Sequence, residues 1–199
     1  MDCGSPAVSN QVLTRTKFQN PVENLSNPES KHSPVSESQV LQRILDRITH
    51  TLQRDATVKE IARCLQSQLQ ADRVVLYYFF RQWKGQVVCE ALSDPRLTIL
   101  GSTGADDCFN DEYAALYEGG RVRAIADILI EPIHECHRDF LQSIQVRANL
   151  AVPILVPKGL WGLLVAHHCD RVHAWLPAEI EQMRAGAKAL AHTPSIQDA

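Results

Sequence analysis

Apolar residues recur at helical spacing through Leu41, Ile44, Ile48 and Leu52, with charged residues between them. That period predicts a first helix starting near Ser38. Asp55 and Ala56 interrupt it. Thr57-Val58-Lys59-Glu60 then has the form of a capping box, and Ile61, Leu65 and Leu69 carry a second helix in which Cys64 is expected as a core thiol. From Arg73 the pattern changes. Arg73 to Phe80 is β-branched and aromatic and predicts a strand, Lys84-Gly85 a turn, and Gln86 to Ala91 the second strand of a hairpin. Residues 93–110 form a polar loop with Gly101 and Gly104.

Further on, Asp111 to Tyr117 predicts a short helix ending at Gly119-Gly120, since glycine suits the position after a helix. Arg121 to Ile128 predicts a third strand. Cys136 to Ile144 predicts a helix with Phe140, Leu141 and Ile144 on one side. Ala148 to Val156 and Leu160 to His168 predict two strands joined at Pro157-Lys158-Gly159. A last helix opens at Pro177, where a missing N–H costs nothing, and stops before Pro194. The order predicts an α+β fold, an antiparallel sheet with helices packed on one face and a ligand pocket on the other. No internal repeat is present.

Composition narrows the picture. Residues 1–37, rich in Ser, Asn, Gln and Pro and without a period, read as a disordered leader. Residues 38–192 read as the folded domain and 193–199 as a short tail. The net charge of −3 argues against a nucleic-acid binder, whose footprint is a strongly basic face. No apolar run reaches the roughly 18 residues of a membrane helix, and no secretory signal is present. A cytoplasmic location with reduced thiols is therefore expected for the six cysteines, which contain no Cys-x-x-Cys.

Two stretches carry candidate chemistry. Glu135-Cys136-His137 places a cysteine at a helix start, where the backbone amides and an adjacent histidine favour the thiolate. Asp106-Asp107-Cys108-Phe109 places a second thiol two residues after a carboxylate. Taken alone, each has a plainer reading: a buried small thiol for either cysteine, a solvent-facing His137, a loop-capping aspartate. His167-His168-Cys169 with Cys136-His137 offers zinc-type ligands, but neighbouring residues on a strand diverge, so few of them could converge on a metal.

These motifs occur together with Gly120 to Ile128, Gln145 to Leu150, Val152-Pro153-Ile154 and Leu160 to His168. The set resembles the GAF domain of cyanobacteriochromes, phytochrome-related photoreceptors, over about residues 38–192. Asp106-x-Cys108-Phe109 resembles the two-cysteine subfamily named for that element. Gly104 stands where the red/green subfamily has Trp, which argues against that type. The resemblance implies a sensor with no free substrate to turn over, attaching phycocyanobilin autocatalytically and keeping it as such or isomerising it to phycoviolobilin. It implies Cys136 as the thioether anchor and Cys108 as the thiol that adds reversibly to the methine carbon C10, giving a blue-absorbing dark state. C15=C16 photoisomerisation then yields a teal-, green- or orange-absorbing state. By the same resemblance Asp106 accepts from the pyrrole N–H groups, His137 packs on the rings and His167 lies near ring D. Arg121, Arg123, Tyr113 and Tyr117 are its candidates for the propionates. An effector and pairing through the terminal helices are its expected partners. The rival readings are a GAF domain for a cyclic nucleotide or other small metabolite, a thiol or metal redox sensor, and a plain dimerisation module.

Overall fold

The computed structural model describes residues 36–81, 83–104 and 111–199. Helix α1 spans Glu37–Arg54 and α2 spans Ala56–Gln68. The capping box forms at α1: the Ser36 hydroxyl accepts the Gln39 amide, and the Gln39 side chain accepts the Ser36 amide. The box expected at Thr57 does not form. The Asp55 carboxylate takes that place, accepting the Thr57 and Val58 amides at 2.8 and 3.1 Å. An anion at a helix N-terminus also meets the favourable end of the helix dipole. Cys64 is exposed rather than core; the buried stripe of α2 is Val58, Ala62 and Leu65.

Five strands form one antiparallel sheet in the order β2-β1-β5-β4-β3. They are β1 (Arg73–Arg81), β2 (Lys84–Leu92), β3 (Arg123–Ile125), β4 (Ala148–Val156) and β5 (Gly159–His168). Lys84 and Gly85 are in β2, not in the turn, which instead uses Trp83 with a φ of 59°. The third strand is three residues long because Asp127 bends the chain out of the sheet. Its carboxylate accepts the Leu129 amide at 3.0 Å and pairs with both ends of the Arg147 guanidinium at 2.8 and 2.7 Å. Gly162 is fixed by strand approach: a Cβ there would sit 2.1 Å from the Tyr77 carbonyl oxygen.

Alternation along the strands gives the sheet two apolar faces. Val74, Leu76, Leu150, Val152, Leu164 and Ala166 pack against α1, α2 and α5 (Pro177–Ala191). Val75, Ala151, Leu163 and Val165 face the other way, toward α3 (Asp111–Glu118), whose Tyr117 joins them. That second face also receives residues of α4 (Glu135–Ser143). Residues 193–199, expected as a tail, contain α6 (Pro194–Gln197), with Ile196 buried and the Ser195 hydroxyl bonded to Asp55. Among the described residues no helix is long and apolar enough to cross a membrane.

On the helix-covered face His168 is fully buried and stacks on Trp175, with no hydrogen-bond partner at either ring nitrogen. Burial, then His173 and Arg171, lower its pKa to about 4. The folded state therefore resists a proton that the unfolded chain accepts below its ordinary value of ~6.5. The His168 contribution to stability is complete above that value and is lost as pH falls toward 4, up to about 3 kcal/mol. Denaturant titrations at pH 7.5 and 4.5 are expected to show this loss. His168→Phe keeps the stacking and should remove that part of the pH dependence; an unchanged slope would assign the acid sensitivity elsewhere.

Candidate functional site

The second sheet face is the floor of an apolar cavity of about 130 Å³. Val75, Tyr77 and Phe79 of β1 and Leu163 and Val165 of β5 form its base, and α3 and α4 close it through Tyr117, His137 and Phe140. Gly104 adds an edge, its amide donating to the Tyr77 hydroxyl at 2.9 Å. A Cβ at residue 104 would lie 2.6 Å from that oxygen, so a bulky residue is excluded from this arrangement.

One end of the floor is polar. Strand register puts Arg73 opposite His167 and His167 opposite Asn149, a row across three adjacent strands. All three side chains are buried, and His167 and Asn149 line the cavity. Arg73 Nε donates to His167 Nδ1 at 3.0 Å. Burial first, then Arg73 and His168, hold His167 well below its ordinary pKa, so the ring is neutral. His167 faces the cavity and His168 is buried in the opposite layer, beside His173 and Trp175, as the alternation implies. They cannot share one ion, and among the described residues no cluster of three or more His, Cys, Asp or Glu is arranged to hold a metal.

A second cavity, about 260 Å³, lies beyond the first, and His137 and Tyr117 line both. Its wall carries Tyr113, Arg121 and Arg123. Arg121 sits over the Tyr113 ring, 5.8 Å from its centre. Arg123 pairs with Glu131 at 2.8 Å. Burial raises the Tyr117 pKa, so its phenol keeps its proton at neutral pH. An imidazole and a phenol are thus common to the walls of the apolar space and of a neighbouring one lined by Arg121, Arg123 and Glu131.

Helix α4 presents Cys136 and His137 in its first turn. The helix starts here because His134 caps it, its Nδ1 accepting the Cys136 amide at 3.3 Å. Arg138 fixes the preceding loop by donating to the carbonyls of Ile128 and Glu131, both at 2.9 Å. His137 differs from the expected charge partner. Burial and Arg123 depress its pKa, so at neutral pH it is uncharged and the helix N-terminus alone favours a Cys136 thiolate. Cys64, Cys89 and Cys169 are free thiols, whereas Cys136 is disulfide-bonded. The expectation that all six cysteines are reduced is corrected to that extent.

Asp106 and Cys108 lie outside the described residues. His137, His167 and Tyr117 meet at the apolar cavity; Arg121, Arg123 and Tyr113 meet at the adjoining one. Arg73 and Asn149 were missed by sequence reasoning. Their signal is a polar residue at or next to the start of an otherwise apolar run, and it becomes readable only once the strand pairing is known.

A sheet with three helices behind it and a covered pocket in front has the GAF architecture, and the GAF domain family model matches residues 37–193. The chain belongs to that family. An uncharacterized protein of Picosynechococcus sp. (strain PCC 7002) is 48% identical over 79% of this chain and 97% of its own length. A putative methyl-accepting chemotaxis protein of Synechocystis sp. is 32% identical over 77% of this chain, which spans only 15% of that relative. Among solved structures, the blue-light absorbing form of the Thermosynechococcus elongatus PixJ GAF domain is 28% identical with a TM-score of 0.62, covering 78% of this chain and 90% of that one. The phycocyanobilin-bound GAF domain of a cyanobacterial phytochrome is 27% identical with a TM-score of 0.60, covering 76% and 91%.

Proposed function

We propose that this chain is a bilin-binding photosensory domain that switches between a blue-absorbing and a longer-wavelength state. One arrangement carries the reading: an apolar cavity, with Cys136 one residue from its His137 wall, that shares His137 and Tyr117 with a neighbouring cavity lined by Arg121 and Arg123. A flat, largely apolar pigment with two carboxylates matches that sequence of environments. The similarity to bilin-bound GAF structures supports the same reading.

When bound, a linear tetrapyrrole such as phycocyanobilin or phycoviolobilin supplies a visible chromophore whose C15=C16 bond isomerises in light. The chain does the rest. Cys136, once its disulfide is reduced by an external thiol, would hold the pigment as the thioether nucleophile toward the ring A ethylidene, with a proton from solvent balancing the addition. Cys108 would be the second thiol, adding reversibly at C10. Asp106 accepts hydrogen bonds from the pyrrole N–H groups. Arg121, with Tyr113 and Tyr117, holds the propionates, and Arg123 joins by exchanging its Glu131 partner for one of them. No free substrate is turned over. The signal passes to an effector, and the exposed Val40 and Ile44 of α1 suit pairing of two copies.

The test is to load the reduced protein with phycocyanobilin and run it on a denaturing gel. Pigment that migrates with the polypeptide is the expected result. Pigment released by denaturant would remove the thioether, and no pigment under any loading condition would favour a metabolite-binding GAF domain.

A further inference from the structure

Arg73 is 1% exposed, and no ion pair neutralises it among the described residues. A buried arginine is costly unless its donors are all directed to partners. Here the guanidinium spans three elements. Nη1 donates to the Leu97 carbonyl at 2.6 Å, Nη2 to the Ile144 carbonyl at 2.8 Å, and Nε to His167 Nδ1 at 3.0 Å. Leu97 ends the 3-10 turn before the cavity edge, and Ile144 caps α4, the helix that carries Cys136.

The third bond has a chemical consequence. Arginine has no acceptor and keeps its proton. Nδ1 of His167 must therefore be the lone-pair nitrogen, and in a neutral ring the proton is on Nε2. With Nδ1 committed to Arg73, Nε2–H is the group that His167 turns to the cavity it lines. We propose that Arg73 is a positioning residue that locks His167 as a neutral Nε2–H donor, so that His167 offers the cavity a hydrogen bond to a carbonyl oxygen and cannot accept one from a ring N–H.

The lock acts in two ways. It fixes the ring orientation across the β1–β5 pair, and it adds to burial in keeping the imidazole unprotonated, because a second proton on Nδ1 would point at the guanidinium. The ionisable groups around His167 are Arg73, the neighbouring His168, and His137 across the cavity; Asp72, Glu90 and Cys169 act on Arg73 from behind. Asn149, paired with His167 in register, gives the cavity a second polar group beside the donor. If the proposed function holds, the carbonyl is a terminal lactam of the bilin, and only that identification rests on it.

The test needs no pigment. Long-range nitrogen–proton spectra of imidazoles, with His167 assigned by its loss in His167→Gln, read the tautomer in the pigment-free chain. Wild type is expected to show the Nε2–H form with no protonation between about pH 5 and 8. Arg73→Met, with Nδ1 released, should give a mixed tautomer, and Arg73→Lys, which keeps a cationic donor, should restore the wild-type pattern. A wild-type ring with its proton on Nδ1, or one protonated by pH 6, would overturn the proposal even if Arg73→Met does not fold. So would a folded Arg73→Met with the wild-type pattern. In pigment-loaded protein the long-wavelength band should be the same in wild type and Arg73→Lys, and should shift or broaden in Arg73→Met, where the His167 donor is no longer fixed. Failure of wild type to take pigment would count against the bilin reading alone and leave the tautomer result standing.

Discussion

Replacing Cys136 with alanine is expected to abolish covalent pigment completely. The helix start that brings this sulfur to the site is built by local interactions that the substitution leaves intact. His134 caps α4 through the residue 136 amide, and Arg138 ties the next turn to the 128–131 loop. Leu141 remains buried beneath it. The variant loses the Cys136 disulfide as well as the thiol, so the comparison is with reduced wild type, beside which it should keep its fold and cavity and lack the nucleophile. Under the proposed function the remaining affinity comes from apolar burial and from the arginines, which retain the pigment in native buffer but not in denaturant. Denaturing electrophoresis of reduced, pigment-loaded wild type and Cys136→Ala checks this. Pigment still bound to the denatured variant would move the anchor to another thiol.

Replacing Cys108 with alanine is expected to keep the pigment covalently attached and to remove the blue-absorbing state. Under the proposed function, attachment at Cys136 leaves the conjugated system long, and a second addition is required to shorten it. Without that thiol the dark protein should absorb only at longer wavelength, and blue light should have no band to act on. Absorption spectra of the loaded variant before and after illumination decide it. A persisting blue band that bleaches under blue light would assign the second addition to another residue or to none.

The fold was legible where side-chain chemistry and local period agree. The run from Arg73 to Phe80, the strands from Ala148 and Leu160, and the helix opening at Pro177 all form close to where the pattern placed them. The departures have a shared cause, which is competition between groups that local pattern cannot rank. Asp55 outcompetes Thr57 as a cap because a carboxylate serves two amides at once. Asp127 ends β3 early because its partner Arg147 lies twenty residues away. Cys64 is apolar enough for a core but falls on the solvent side of α2, a matter of helix rotation set by Val58, Ala62 and Leu65.

The site divides in the same way. His137 and His167 could be placed from sequence because each belongs to a motif with a resemblance behind it. Arg73 could not, since an arginine at the start of a strand reads as a solvated end until the register sets it across from His167. Nor could the neutral state of His137, which depends on its burial and on Arg123 fourteen residues upstream. Gly104 was read from a family pattern, and the structure adds a physical reason for it in the Tyr77 hydroxyl packed against its α-carbon.

The most direct test of the proposed function is the absorption spectrum of the reduced chain loaded with phycocyanobilin, recorded before and after blue light and again after dark recovery. The account predicts a blue band that falls on illumination while a longer-wavelength band rises, with the change reversing. A colourless protein, when the same pigment supply colours a known bilin binder, would contradict it.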